Sequence, residues 1–150
     1  MPSRESHLTA VEQNSTVLSH LVAADQDFSP WIVTVAFYKA LHVVEAVFAS
    51  DPNIDIDGTD DHKSRNGVLK SNNRYQKIWR HYTQLWNDSL IARYLVSHNH
   101  GVETVYSDFS EYMSKEKVIS IHLNHNLKQV IKSSQTVLGD DEFLAHELPN

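Results

Sequence analysis

The sequence predicts an all-α protein, an up-and-down helical bundle of four long helices plus one short helix. Apolar residues recur at three- and four-residue steps through most of the chain, which is the period of helices that bury one face. Only 4 glycines and 4 prolines occur among 150 residues, so few positions interrupt a long helix. Because 41% of the residues are hydrophobic, a single domain over residues 1–150 can form its own core, which we place at about residues 7–138.

The first two helices follow from their apolar positions. The first is predicted over about residues 7–24, because one helical face carries Leu8, Val11, Ser15, Leu18 and Val22. Ser29 and Pro30 indicate the start of the second, since serine caps free amides and proline is preset for the first helical position. The segment 31–49 is apolar almost all round, and a helix of that kind is buried on several sides. We therefore expect it to be the central helix.

Three further helices complete the predicted bundle. Asp60 or Asp61 can cap a short helix that ends near residue 71. The cleanest helical period of the chain follows over five turns, at Tyr75, Ile78, Trp79, Tyr82, Leu85, Trp86, Ser89, Leu90 and Arg93. Asp108 and Glu111 have the spacing of a capping box and predict the start of the last helix, with Gly139 as its stop. The acidic tail beyond it is expected to be frayed.

The composition excludes several classes of protein and of site. The chain contains no cysteine, so disulfides and thiolate metal sites are excluded. No apolar run approaches the ~18 residues of a membrane span, and the first ten residues lack a basic-then-apolar signal pattern. We therefore expect a cytoplasmic protein that has no membrane partner.

The distribution of charge is more informative than its sum. A net charge of −6 argues against a general nucleic-acid binder. Six of the 13 basic residues nevertheless fall within residues 63–80 with no acid between them: Lys63, Arg65, Lys70, Arg74, Lys77 and Arg80. A basic stretch on an acidic protein is a candidate anion-binding face, and its alternative is an ordinary solvated helix surface.

Arg93 continues the apolar stripe of the fourth helix and is therefore expected to point inward or towards an interface. Burial of an unpaired guanidinium is very unfavourable, so Arg93 needs a carboxylate, a partner chain or an anionic ligand. Three interpretations follow: a structural ion pair with Glu45 or Asp88, a phosphate clamp, or an exposed side chain beyond an early helix end.

His98 lies five residues after Arg93, and the two together suggest metal-free chemistry on a phosphodiester. The histidine would assist attack by a ribose 2′-hydroxyl, and the arginine would stabilise the charged phosphorane. Five residues align poorly on a continuous helix. The pairing therefore requires the helix to end near Val96 and the chain to turn there.

The other histidines carry weaker predictions. His42 lies on the central helix and is expected to be a hydrogen-bonded core residue. His122 and His125 could ligate a metal together with His98 or His100, although a solvated surface is the simpler interpretation of this pair.

Three motifs follow one another within residues 31–98: Ala36-Phe37-Tyr38-Lys39-Ala40-Leu41-His42, then Asp61-His62-Lys63-Ser64-Arg65-Asn66 with Tyr75-Gln76-Lys77-Ile78, and then Ile91-Ala92-Arg93-Tyr94. In this order they resemble the conserved helix, the second block and the end of the next helix of HEPN domains. The resemblance implies a helical bundle, often dimeric, and many such domains are metal-independent RNases, some of them toxins or defence proteins. Others bind nucleotides or act as non-catalytic partners.

The resemblance also implies which residues act. The family's Arg-x4–6-His motif corresponds to Arg93 and His98, with Tyr94 where active members usually carry a polar residue. We expect an RNA- or nucleotide-binding protein, with a metal-independent endoribonuclease of toxin or defence type as its catalytic form, and no cofactor or metal. The expected partners are a second copy, RNA or a nucleotide, and a partner protein. The alternatives are a non-catalytic dimerisation module and a histidine-based metal-binding protein. The expected phosphate contacts are His42, His62, Lys63, Arg65, Lys77 and Arg80.

Overall fold

The computed structural model describes residues 2–139, apart from the side chain of Ile56, and these residues are mostly helical, as predicted. The helices are α1 Arg4–Ala23, α2 Ser29–Ser50, α3 His62–Ser71, α4 Gln76–Tyr94, α5 Lys115–Lys117 and α6 Lys128–Leu138, with a π-helical segment, Val118–Leu127, between the last two. Single 3-10 turns lie at Ile56–Thr59, Asn73–Tyr75 and Phe109–Glu111. A small antiparallel sheet that the sequence did not predict consists of β1 Val96–Asn99 and β2 Val102–Val105.

Helix α2 is the central helix, as its composition predicted. It packs against α1, α4, the π-helical segment and α6, and most of its side chains are buried. By length and composition alone α2 could also cross a membrane. This differs from the expectation that no apolar run in the chain is long enough to do so. Because 78% of its apolar window is buried inside the fold, it behaves as the core helix of a soluble protein.

The predicted start of α2 at Ser29 and Pro30 is confirmed, but the cap expected there and the start expected at Asp108 are wrong. Ser29 is the first residue of α2 and does not cap it; its backbone N–H and hydroxyl instead donate to Asp27. Asp108 caps only one 3-10 turn, where it accepts from the Ser110 N–H at 2.8 Å. Ser114 begins the last helix instead, because its hydroxyl accepts from the Lys117 N–H at 3.3 Å. The capping-box spacing therefore fits a single turn as well as a helix. The predicted fraying after Gly139 falls outside the described residues.

The π-helical segment changes which residues of the last helix face the core. A π-helix bonds residue i to residue i+5, so its turns are wider than those of an α-helix and the helical phase shifts. His122, expected on the solvated surface, is fully buried, whereas His125 is exposed as expected. The expectation for His122 is wrong because it assumed an α-helical period.

The chain turns immediately after α4. Leu95 ends the helix in the left-handed conformation, with φ of 58°, and β1 follows directly. Asn99 pairs with Val102, so His100 and Gly101 form a two-residue hairpin loop, and their φ values of 52° and 77° are both positive. This is the geometry of a type I′ turn. The helix end that the Arg93–His98 hypothesis requires is therefore present.

Two glycine-to-alanine substitutions should change stability in opposite directions. Alanine at Gly101 has open space around its Cβ but must adopt φ of 77°, so we expect a loss of about 1–2 kcal/mol. Gly67, inside α3, also has open space, and Gly67→Ala should gain about 0.5–1 kcal/mol because alanine favours the helix. Urea denaturation of both variants measures the difference, and equal effects would contradict the hairpin turn.

Candidate anion-binding site

Arg93 lies on the α4 face that also carries Trp86 and Ser89, and its side chain is half-buried. The guanidinium carbon is 5.9 Å from the ring centres of Phe37 and Trp86 and 5.7 Å from that of Tyr94. These distances are typical of cation–π contacts. Its Nε donates to the Ser89 carbonyl and a terminal nitrogen donates to the Ser89 hydroxyl, both at 3.2 Å. The guanidinium is therefore held in place by contacts that carry no negative charge.

Neither carboxylate expected to neutralise Arg93 does so. Glu45 is bonded to Arg65, and Asp88 accepts from Tyr112. Within residues 2–139 Arg93 forms no ion pair, so the structural ion-pair interpretation is wrong for this part of the chain. A guanidinium has five N–H donors, of which Ser89 takes two. The remaining donors and the uncompensated charge can serve an anion.

His62 lies beside the same aromatic residues, at the first position of α3. Its ring centre is 4.7 Å from that of Trp86, and its Nδ1 accepts a hydrogen bond from Arg65 at 3.1 Å. Burial lowers the pKa of His62, and the positive charges of Arg65 and Arg93 lower it further. The ring is therefore neutral near pH 7, with its proton on Nε2. In this state His62 is a hydrogen-bond donor suited to an anion, rather than a base for proton transfer.

The prediction of Arg65 as a phosphate contact requires an exposed side chain, but Arg65 is buried. It is 5% exposed, its Nε donates to Glu45, and a terminal nitrogen donates to His62. Burial raises the pKa of Glu45, and the hydrogen bond and charge of Arg65 oppose that rise. The prediction of Arg65 as a phosphate contact is wrong because its side chain lies on the inner face of α3. Its function in this structure is to orient His62.

His42 forms an unusual pair with His7 of α1. Their Nδ1 atoms are 3.0 Å apart, so one ring donates to the other. His42 is therefore hydrogen-bonded as expected, although it is half-buried rather than a core residue. Burial, the charge of His42 and the charge of Arg65 lower the pKa of His7 from 6.5 to about 4. Burial and Arg65 also lower the pKa of His42. Sequence reasoning missed His7, although it lies four residues before Val11 on the buried face of α1.

The remaining predicted basic contacts are exposed but do not share one surface with Arg93. Lys63 follows His62 at the start of α3 and lies at the same end of that helix. Lys77 and Arg80 precede Arg93 by 16 and 13 residues on α4, which at ~1.5 Å per residue is about 24 and 20 Å. The predicted basic face is therefore divided, and only Lys63 lies next to a residue of the site.

His98 lies on β1, opposite Glu103, where it is exposed and lines a pocket that also contains Asp88. The α4 residues of that pocket include Gln84, which is nine residues from Arg93. Nine residues are about two and a half turns, so Gln84 and Arg93 lie on opposite sides of α4. One chain does not bring Arg93 and His98 into a common site.

Comparison with protein-family models, with curated proteins and with solved structures finds no match to this chain. The resemblance to HEPN domains therefore stays a prediction that rests on the residues themselves. For the metal-binding alternative, the described residues contain no group of three or more His, Cys, Asp or Glu side chains that could hold an ion. His122, one of its predicted ligands, is instead bonded to Asp88.

Proposed function

We propose that this protein is a HEPN-like RNA- or nucleotide-binding protein of the cytoplasm, and that Arg93 is its principal phosphate contact. The observation that carries the proposal is the state of Arg93: half-buried, fixed against aromatic rings and Ser89, and without a carboxylate among the described residues. The proposal includes the finer architecture as well, in which four long helices form the up-and-down bundle and two copies associate as a homodimer.

The surroundings of Arg93 favour a nucleotide phosphate over a simple anion. A guanidinium that is already oriented can bind two phosphate oxygens at once, and less conformational entropy is lost than with a free side chain. His62, whose ring packs against the same Trp86 ring, carries a further N–H donor. Tyr94, 67% exposed and in contact with the guanidinium, offers a flat ring on which an unpaired base can stack. Phosphate, base and donor groups therefore fit one single-stranded nucleotide.

The test is fluorescence anisotropy with a labelled single-stranded RNA at low salt. Arg93→Met should weaken binding at least tenfold, which corresponds to about 1.4 kcal/mol. Arg93→Lys should recover only part of that loss, because lysine keeps the positive charge but lacks the planar guanidinium that binds two phosphate oxygens at once. Lys132→Met, on the exposed surface of α6, removes one positive charge elsewhere and should leave binding near that of the wild type.

Three results of this experiment are informative. Affinity for RNA should fall as the salt concentration rises, because phosphate contacts release counterions. If the wild type binds no RNA at low salt, the proposal fails. If Arg93→Met and Lys132→Met weaken binding equally, general charge rather than the Arg93 site is responsible.

Cleavage is the catalytic form of this proposal. The RNA 2′-hydroxyl attacks the adjacent phosphorus, His98 accepts its proton, and Arg93 stabilises the phosphorane. The bond from phosphorus to the 5′-oxygen then breaks, and that oxygen takes a proton from water, which leaves a 5′-hydroxyl product and a 2′,3′-cyclic phosphate. Since Arg93 and His98 lie on different sides of α4 within one chain, the second copy of the homodimer would supply the histidine. Arg93→Ala and His98→Ala should each abolish cleavage, and a mixture of the two variants should recover part of it. Equal activity in all samples indicates a contaminating nuclease.

The alternative function is a non-catalytic interaction module that pairs with a second copy. Exposed apolar residues favour it, since Trp31, Val102 and Val105 are 62%, 62% and 72% exposed. It becomes the better interpretation if the wild type fails to bind RNA while light scattering shows a dimer that Trp31→Ser dissociates.

A further inference from the structure

A pocket of about 400 Å³ lies on the side of α4 that faces away from Arg93. Its walls come from α4, from β1 and from the segment after β2, and its volume is in the range of about 300–1,000 Å³ that is common for small-molecule sites. The polar side chains used in the argument below are Asn87, Asp88, Ser97, Asn99, Tyr106 and Tyr112. The binding of phosphate at Arg93 uses none of these side chains, although His98, the base of the proposed cleavage, also lines the pocket.

The inner wall of the pocket is held by a chain of hydrogen bonds. The Tyr112 hydroxyl donates to one oxygen of Asp88 and the His122 Nε2–H donates to the other, both at 2.6 Å. Asn126 lies 3.3 Å from His122 Nδ1, and this contact orients the ring. Because His122 is fully buried, it positions the carboxylate and cannot itself touch a ligand. Burial, followed by the Asp88 carboxylate, raises the pKa of Tyr112 and keeps its hydroxyl a donor.

The outer wall is formed by aromatic and hydroxyl groups. The Tyr106 hydroxyl lies 3.0 Å from the Ser97 hydroxyl, and its ring centre is 5.5 Å from that of Tyr112. Two fixed rings and two fixed hydroxyls therefore line a space whose shape exists before any ligand enters. Such preorganised polar groups raise affinity by reducing the entropy lost on binding.

The charge of the pocket decides which ligands it can take. The residues that line it in the described structure include Asp88 and His98 but neither lysine nor arginine, so the pocket offers no permanent positive charge to a phosphate. A simple cation is a poor match as well, because both Asp88 oxygens already accept hydrogen bonds. Asn87 and Asn99 each offer a donor and an acceptor, and such groups match a neutral ligand with both kinds of polar edge.

We propose that this pocket binds the uncharged base of a purine nucleoside. The base would lie against Tyr106 and Tyr112, with its polar edges on the amides of Asn87 and Asn99. The site goes beyond the proposed function, because it selects a base by hydrogen bonding and takes no part in holding phosphate.

Isothermal titration calorimetry of the full chain with guanosine and adenosine tests this inference. Asn87→Ala and Asn99→Ala change exposed positions, so the fold should persist, and each should weaken binding of the nucleoside at least tenfold. Asn124→Ala removes an exposed amide outside the pocket and should bind like the wild type. Circular dichroism confirms that each variant is folded.

The phosphorylated ligand separates this pocket from the Arg93 site. In the Arg93→Met variant, which lacks the proposed phosphate contact, guanosine should bind more tightly than guanosine monophosphate, because the pocket has a carboxylate and neither lysine nor arginine. In the wild type the Arg93 site should favour the monophosphate instead. The inference is overturned if neither nucleoside binds at millimolar concentration, if the monophosphate binds the Arg93→Met variant more tightly than guanosine does, or if the cation arginine methyl ester displaces guanosine at equal concentration. It is also overturned if both asparagine variants retain wild-type affinity.

Discussion

Arg65→Met is expected to lower the free energy of unfolding by about 3–5 kcal/mol. Glu45 is 3% exposed, and the variant would leave its carboxylate buried without a cationic partner. The same change removes the donor that fixes the tautomer of His62. Urea denaturation at pH 7 measures the loss directly, since the midpoint shifts while the slope should stay constant.

Two further variants identify the cause of this loss. The double variant Arg65→Met/Glu45→Leu replaces the whole pair by apolar groups and should recover most of the stability, because such replacements are often neutral or stabilising. Arg74→Met breaks the ion pair with Asp51, where the arginine side chain is 49% exposed, and should cost no more than about 1 kcal/mol. If Arg65→Met is no worse than Arg74→Met, or if the double variant does not recover, the buried pair is not what stabilises this region.

The helices that local patterns determine could be predicted from the sequence, and the partners of buried charges could not. The stripe through Tyr82 and Trp86 placed α4 correctly and predicted that Arg93 would point inward, because the period of apolar residues fixes a helical face. The predicted ion pair between Arg93 and Glu45 does not form, because Arg65 binds the same carboxylate. Which of two arginines reaches one carboxylate depends on how helices pack, and that is not encoded in the spacing of either residue.

Missed features share a similar cause. His122 was assigned to the surface because the count assumed α-helical turns, and nothing in the sequence around it indicates π-helical hydrogen bonding. The hairpin could have been predicted from the sequence, because Gly101 follows Asn99 and His100 and all three residue types tolerate the left-handed conformation of the turn. No pattern in the sequence indicated the pocket behind the hairpin, because Asp88 and Tyr112 are 24 residues apart and meet only through tertiary packing.

The histidine pair of α1 and α2 should make the stability of the protein depend on pH between about 6.5 and 5. His7 has a pKa of about 4 in the folded state and an ordinary value of 6.5, so in this range the unfolded chain binds more protons than the folded one. The free energy of unfolding must therefore fall as the pH falls, by about 1.5 kcal/mol between pH 6.5 and pH 5 for His7 alone. The lowered pKa of His42 acts in the same direction.

Comparison of His7→Gln with the wild type isolates this contribution. Glutamine can still hydrogen-bond to His42 but does not titrate, so the free energy of unfolding from urea denaturation should change less between pH 7.5 and pH 5 in the variant. His20→Gln, at an exposed position of the same helix, should keep the wild-type dependence. Glu45, whose pKa is raised by burial, gains protons in the folded state before it does in the unfolded chain as the pH falls, and this opposes the trend. If the dependence persists unchanged in His7→Gln, the two rings are not held neutral by burial and by Arg65, and the electrostatic description of this end of the site is wrong.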